Sequence, residues 1–361
     1  MRLVTTSSVE SGTILAKAIY NENGQVLLNE GVELKKAIIH RLNTLGISYI
    51  FIKDRENEDI QYNGTISDSL RKEAIQTINS TFKEIQKDTS LHGSLVVEKA
   101  SKKFSELIRC LMTEIKDQKE LLTLLSDAFI YDNYIFSHSL NVTLYALAIG
   151  IKLNLPQRDL ETLGLGAIFH DIGKIKVPKE VLLKPGKLTQ EEYEAIKTHA
   201  EEGFQLLRKV PTIPLLVAHC AFQHHERLNG SGYPRGIVGD EIHYFGKILA
   251  VADVFDAVTS NRVYRRAMLP HEGLEILYAG SGTLFEKKII EAFRLAVVIY
   301  PVGITVDLSD GRKGIVAGQN IGFGDRPKVR IMEEMGEKVS PYEIDLKNEL
   351  SITITGCDTT F

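Results

Sequence analysis

Short alternating runs, not a helical period, open the chain over residues 1–54. GTILAKAIY and VLLN flank NENGQ, whose Asn23 and Gly24 are turn formers, and together they predict a hairpin. ELKKAIIHRLNTLGI repeats its apolar residues at helical spacing, and SYIFIKD alternates as a closing strand. These segments make a small α/β module, and the polar DRENEDIQYNGTISD over 54–68 reads as a linker. From Ser67 the period changes. SDSLRKEAIQTINSTFKEIQ and LVVEKASKKFSELIRCLMTEIKD set apolar positions 3.6 residues apart under charged faces, which predicts two amphipathic helices. Such a pair builds a subdomain, a dimerisation surface through residues 67–127, or both. The helical period persists from 120 to 300, broken by one loop, NGSGYPRGIVGDEI, at 229–242. After Pro301 the texture becomes β: GITVDLSDGRKGIVAGQN, PKVRIMEE, YEIDLKN and SITITG alternate around glycine-rich turns.

The expected fold is therefore mainly α. A small α/β module spans 1–60, amphipathic helices 61–124, a helical domain 125–301 and a β-rich module 302–361. A chain of 361 residues has room for these parts. A net charge of −4, with 25% charged residues, gives no ground for a DNA or RNA polymer or an anionic membrane as partner. MRLVTTSSVESGTILAK lacks the apolar core of a secretory signal, and LAVVIYPVGITV at 295–306 is too short and too interrupted to span a bilayer. Cys110, Cys220 and Cys357 lie far apart, as expected for reduced thiols in a cytoplasmic protein.

Six of the ten histidines fall within 138–225, and this clustering introduces the chemistry. His138 lies in NYIFSHSLNV, His170 and Asp171 in AIFHDIGKIK, His199 in EAIKTHAEEG, and His224 and His225 in AFQHHERLNG. Asp253 stands among Ile248, Leu249, Val251, Ala252 and Val254. One histidine on an apolar face is ordinarily a satisfied core residue. Several segments that each deliver an imidazole or a carboxylate to an apolar background call for a shared partner, because unpaired buried polar groups are costly. A divalent metal pair is such a partner. Imidazoles and carboxylates without thiolates suit Fe, Mn, Zn, Ni or Co. Asp171 is the natural bridge, since one carboxylate can offer an oxygen to each of two ions. Two ions together activate water and clamp a phosphodiester. Lys174, three residues after Asp171, either neutralises a phosphate oxygen or caps a helix end in solvent. Arg262, Arg265 and Arg266 form a cluster suited to phosphate or guanine. Asp256, three residues after Asp253, either orients a ligand or Arg262 or sits on the helix surface. In NGSGYP, Gly230 and Gly232 allow backbone conformations closed to other residues, and Tyr233 is either a packing side chain or a ring offered to a ligand.

HDIGK with an upstream His138, then His199, HHERLNGSGYP and ADVFDAVTSNRVYR, closely resembles the HD-GYP family of cyclic dinucleotide phosphodiesterases within the HD metal-dependent phosphohydrolases. The resemblance covers about 125–300 and makes that helical domain an HD-type catalytic domain. It implies that His138, His170, Asp171, His199, His224, His225 and Asp253 hold two divalent transition metals, Fe or Mn first and Zn, Ni or Co next. Asp171 would bridge, with His199, His224 and His225 on one ion and His170, Asp253 and His138 on the other. It also implies that Lys174, Tyr233, Arg262 and Arg265 contact the substrate, with Asp171 and Lys174 as the catalytic pair. The implied activity is hydrolysis of cyclic di-GMP to pGpG and onward to GMP in bacterial signalling. The mixed GMP–AMP cyclic dinucleotide, or a receptor with little turnover, are the alternatives. Some members carry a glutamate four residues before the first histidine that helps hold a third metal. Tyr134 stands there, and Asp132 lies six residues before His138, so a dinuclear site is expected. Asn229 replaces the aspartate usual in the HHERxDGSGYP run, and asparagine can still cap that turn.

Overall fold

The computed structural model describes the chain apart from residues 21–24, 46, 48, 55–56, 58, 61–65, 88–92, 118–133, 183, 185, 261–267, 269, 321 and 359–361. Strand β1 (Arg2–Thr5) pairs antiparallel with β6 (Tyr49–Ile52), and every residue of β6 is buried. The alternation read in SYIFIKD is real, but each face has its own cover. Leu3, Tyr49 and Phe51 enter the main core, whereas Val4, Ile50 and Ile52 close a smaller core with Leu15, Ile19, Leu34 and Leu42. GTILAKAIY divides into β2 (Thr13–Ile14) and β3 (Ile19–Tyr20). These pair antiparallel with β5 (Glu33–Leu34) and β4 (Val26–Leu28). The β3–β4 pairing has the form of the expected hairpin, while its turn residues Asn23 and Gly24 lie outside the described residues. Helix α1 (Lys36–Thr44) covers the small core through Leu42. The stretch read as a linker is not wholly solvated, because Ile60 and Ile66 are buried in the main core.

Helices α2 (Asp68–Lys87) and α3 (Gly93–Asp117) follow the predicted period. Their apolar faces are used within the chain. Phe82 of α2 and Phe104 of α3 lie against Phe169, with ring centroids 6.5 and 5.1 Å away. Helix α4 (Tyr134–Lys152) is buried on all sides over Leu140–Ile149, as a helix at the centre of a bundle must be. Around it stand α2, α5 (Gln157–Phe169), α9 (Tyr244–Thr259) and α11 (Lys287–Ala296). A short α6 (Lys179–Leu182), α7 (Gln190–Leu207), α8 (Leu215–Gln223) and α10 (Pro270–Ala279) complete the described helices. Helix α7 begins at a capping box, in which Thr189 and Glu192 satisfy each other's backbone N–H.

Strands β7 (Thr305–Leu308), β8 (Arg312–Gly318), β9 (Lys328–Glu334), β10 (Glu337–Asp345) and β11 (Ile354–Asp358) form one antiparallel sheet in the order β10-β9-β8-β7-β11. This is the β texture read after Pro301. The sheet meets the start of the chain: Leu3 N donates to Gly303 O at 2.9 Å, and Arg330 pairs with Asp59 at 2.5 Å. Among the described residues, no helix is long and apolar enough to cross a membrane.

Candidate metal centre

The apolar run of α5 ends at Phe169, and the chain tightens into a 3-10 turn over Ile172–Lys176. His170 therefore sits at the helix C-terminus and Asp171 at the start of the turn. In 3-10 geometry residues i and i+3 eclipse, which brings Lys174 Nζ to 2.5 Å from Asp171 Oδ2. Lys174 is thus neither on a continuing α-helix nor a solvated cap. Its ammonium is paired with the carboxylate at the middle of the site. His138 comes from α4, His199 from α7, His224 and His225 from the end of α8, and Asp253 from α9.

These side chains meet around Asp171, and its two oxygens face different partners. Oδ2 lies 3.5 Å from His138 Nε2 and 3.4 Å from His170 Nε2. Oδ1 lies 3.4 Å from His199 Nε2 and 3.8 Å from His224 Nε2. Asp253 Oδ1 stands 3.2 Å from His138 Nε2, and its Oδ2 3.7 Å from His225 Nδ1. The geometry defines two overlapping groups that could hold a metal ion, Asp171 with His199, His224 and His225, and Asp171 with His138 and His170.

Hydrogen bonding on the far side of each ring decides what the near side offers. Nδ1 of His170, His199 and His224 donates to the carbonyls of Ala167, Ile196 and Ala221 at 2.7, 2.6 and 2.9 Å. His138 Nδ1 donates to Asp256 Oδ2 at 2.7 Å. Carbonyls and carboxylates only accept, so in each neutral ring the Nε2 carries a lone pair. Those lone pairs point at carboxylate oxygens and at one another, with 3.3 Å between the Nε2 atoms of His138 and His170 and again between those of His199 and His224. Acceptors brought face to face this way are reconciled by a positive charge between them, a metal ion or a shared proton. The buried Oδ1 of Asp171 makes no hydrogen bond among the described residues, which is the same need seen from the other side. The donor set, nitrogen and oxygen without sulfur, fits a divalent transition metal.

Electrostatics keep the set ready. Burial pushes His199, His224 and His225 below the ordinary imidazole range, and the neighbouring imidazoles act in the same direction, so these rings stay neutral. Burial pushes the Asp171 carboxyl upward, but the Lys174 ammonium outweighs it, and the group is held well below the usual range. Burial pushes Asp253 upward too, yet between His138 and His225 it is held well below the usual range.

The glycine-rich loop lies directly on the histidine pair. A β-carbon on Gly232 would stand 2.4 Å from the carbonyl oxygen of His225, so close approach, and not positive φ, is what this position demands. Gly230 does take positive φ, at 78°. Asn229 Oδ1 accepts from the N–H and hydroxyl of Ser231, the turn cap expected of asparagine. Tyr233 N donates to His225 O, and the Tyr233 ring stacks on His225 with centroids 4.5 Å apart. Burial and Asp253 keep its phenol protonated.

Arg262 and Arg265, read as substrate contacts, lie outside the described residues, as do Arg266 and Asp132. The side chain of Tyr134 is likewise outside them. Asp256 is wholly buried against His138, which excludes the helix-surface reading. Sequence reasoning missed Asn141, which donates to Asp256, and Glu226, whose carboxylate accepts from the backbone of Arg235 and so ties the loop to HHER. A polar residue one turn from His138 on an otherwise apolar helix was the available signal for Asn141. Gly173 was also missed. It lets α7 close onto the turn, and only the packing partner reveals this.

Helices that converge histidines and aspartates on a buried centre define a metal-site protein of the HD class. Residues 109–289, half of the chain, match the HD domain family, and the chain belongs to it. HDIGK and HHERLNGSGYP place it in the HD-GYP branch. It is similar to a cyclic di-GMP phosphodiesterase of Pseudomonas aeruginosa, 36% identical over 58% of this chain and 50% of that protein. It is also similar to a 3′3′-cGAMP-specific phosphodiesterase of Vibrio cholerae, 38% identical over 46% of this chain and 36% of the relative. The chain thus spans half or less of the length of these two curated relatives. A solved HDGYP protein from Bdellovibrio bacteriovorus aligns over 81% of this chain and 97% of its own, at 16% identity and a TM-score of 0.45.

Proposed function

We propose that this chain is a metal-dependent phosphodiesterase that hydrolyses cyclic di-GMP to pGpG, GMP or both. The observation that carries the reading is the convergence of imidazole nitrogens on the two oxygens of Asp171, which bound metal ions would reconcile. In the proposal Asp171 bridges two ions, Fe or Mn first and Zn, Ni or Co next, with His199, His224 and His225 on one side and His138, His170 and Asp253 on the other. Divalent metal there would supply activated water and neutralise charge on the phosphodiester.

The protein's own groups divide the remaining work. Neutral, buried imidazoles hold their lone pairs without first losing a proton. Lys174 exposes about a fifth of its side chain at the edge of the buried cluster, so its ammonium can turn from Asp171 to a non-bridging phosphate oxygen once that carboxylate has other cations. Tyr233, stacked on His225, presents an aromatic ring for a base beside the reacting centre. Arg262 and Arg265 complete the substrate contacts in the proposal. Residues 125–301 would carry this activity, between modules at 1–60 and 302–361 and the helices of 61–124. A homodimer through 67–127 would use the charged faces of α2 and α3, since their apolar faces meet Phe169. A cytoplasmic location accompanies a nucleotide second messenger.

Likeness to the Vibrio cholerae enzyme keeps the mixed GMP–AMP cyclic dinucleotide as a second reading. Purified protein loaded with Mn²⁺ or Fe²⁺ is assayed on a panel of cyclic dinucleotides beside Asp171→Ala. Metal-dependent hydrolysis of cyclic di-GMP, lost in the variant, is expected. Preferential hydrolysis of the mixed dinucleotide favours the second reading, equal hydrolysis by both proteins sinks the metal mechanism, and binding without turnover makes the chain a receptor.

A further inference from the structure

His138 differs from its neighbours in what stands behind the ring. His170, His199 and His224 each lean on a backbone carbonyl three residues earlier. His138 leans on a carboxylate from another helix, Asp256 Oδ2 at 2.7 Å. The other oxygen of Asp256 accepts from Asn141 Nδ2 at 2.9 Å, and all three side chains are buried. Asn141 lies one turn after His138, so α4 supplies both the imidazole and the amide that holds its partner in place. A carboxylate can only accept, which settles the orientation of both bonds.

On the near side both halves face Asp171 and Asp253. Asp253 Oδ1 is 3.2 Å from His138 Nε2 and 4.0 Å from His170 Nε2. The His138–His170 half therefore faces an oxygen of Asp171 and an oxygen of Asp253, with a third carboxylate behind one ring. At His199 and His224 the rings face the other Asp171 oxygen and have neutral carbonyls behind them, and His225 Nδ1 faces the other Asp253 oxygen at 3.7 Å, so the carboxylate behind His138 is what sets the halves apart. A charge-assisted hydrogen bond is stronger than one to a carbonyl, and it leaves more electron density on the opposite nitrogen.

We propose that Asp256, held by Asn141, makes the two halves of the centre unequal, so that the His138–His170 half binds its divalent metal more tightly and fills first. Asn141 and Asp256 are positioning residues that act through His138. The inference rests on the metal-centre reading above.

Calorimetric titration of chelator-treated protein with Mn²⁺, with metal content measured at saturation, tests it in wild type, Asp256→Asn and Asn141→Leu. Asp256→Asn keeps the shape and leaves a neutral oxygen to accept from His138, while its new N–H group can donate to Asn141 Oδ1 once that amide turns over, so the charge is removed with both contacts retained. The tighter of the two binding events should weaken about 10–100-fold while the other keeps its wild-type affinity. Asn141→Leu should weaken the same event by less. Weakening shared equally by both events, or confined to the weaker one, overturns the inference. Circular dichroism melts identify a variant that fails to fold, and if Asp256→Asn is such a variant, Asn141→Leu carries the test with the same criteria. Wild-type protein that takes up no metal overturns the metal centre itself. Two ions in wild type with unchanged affinities in the variants overturn this inference alone.

Discussion

The α-carbon of Gly173 packs against the backbone of His199 so closely that a β-carbon there would stand 1.9 Å from the His199 carbonyl oxygen. The backbone nitrogen of Gly203, one turn further along α7, would be 2.6 Å away. Glycine at this position sets the distance between the turn carrying Asp171 and the helix carrying His199. Both neighbours are backbone atoms, so neither can swing aside.

Gly173→Ala should therefore push α7 away from the turn and separate His199 from Asp171. Overpacking of this kind costs about 1–3 kcal/mol. A lowered melting temperature together with reduced metal content is expected. A variant with wild-type values for both would show that the turn yields instead.

Lys174→Met removes the ammonium beside Asp171 Oδ2 and leaves every proposed ligand in place. Turnover should fall about 10²–10³-fold, the usual effect of losing one preorganised partner of developing charge. Metal content should not change. Metal lost in parallel with turnover would make the lysine a support for Asp171 and not a contact of the phosphate.

Tyr233 separates ring from hydroxyl. Tyr233→Phe keeps the stack on His225, whereas Tyr233→Leu loses it. An aromatic pair contributes about 0.5–1.5 kcal/mol beyond buried area, so KM should rise up to about tenfold in the leucine variant and little in the phenylalanine one. Equal losses in both would move the role to the hydroxyl.

Acid should destabilise the metal-free fold from a defined point. In the unfolded chain His199, His224 and His225 titrate near 6.5, while the folded site holds all three lower. As the pH falls through that value, the unfolded chain takes up protons that the folded site refuses, and stability declines. Above it their contribution is complete. Asp171 and Asp253, also held low, add a loss of the same sign in stronger acid. Urea midpoints of chelator-treated protein at pH 8, 7, 6.5 and 5.5 check this. A midpoint that holds from 7 to 5.5 would contradict it.

Much of the site was legible because it is local in sequence. HDIGK and HHERLNGSGYP carry their chemistry within a few residues, and His138, His199 and Asp253 each stand out as a polar residue within an otherwise periodic helix. The role of Asn229 also followed from its own side chain, which caps Ser231 two residues away. Asp256 was harder. Its spacing from Asp253 left a surface place and a supporting place equally open, and only the approach of α4 decided between them. The amphipathic period of α2 and α3 was plain, yet periodicity does not say which surface a face will cover.

By itself the sequence determined most of the elements, their order and the donors available, because these follow from periodicity and short-range spacing, and its HDIGK and HHERLNGSGYP motifs carried the resemblance to the family. Tertiary structure alone decided which nitrogen of each imidazole faces Asp171, which oxygen it faces, and that His138 rests on a carboxylate supplied 118 residues later. Ring orientation is fixed by whichever acceptor lies behind the ring. For His138 that acceptor arrives on another helix, at a distance no local pattern encodes.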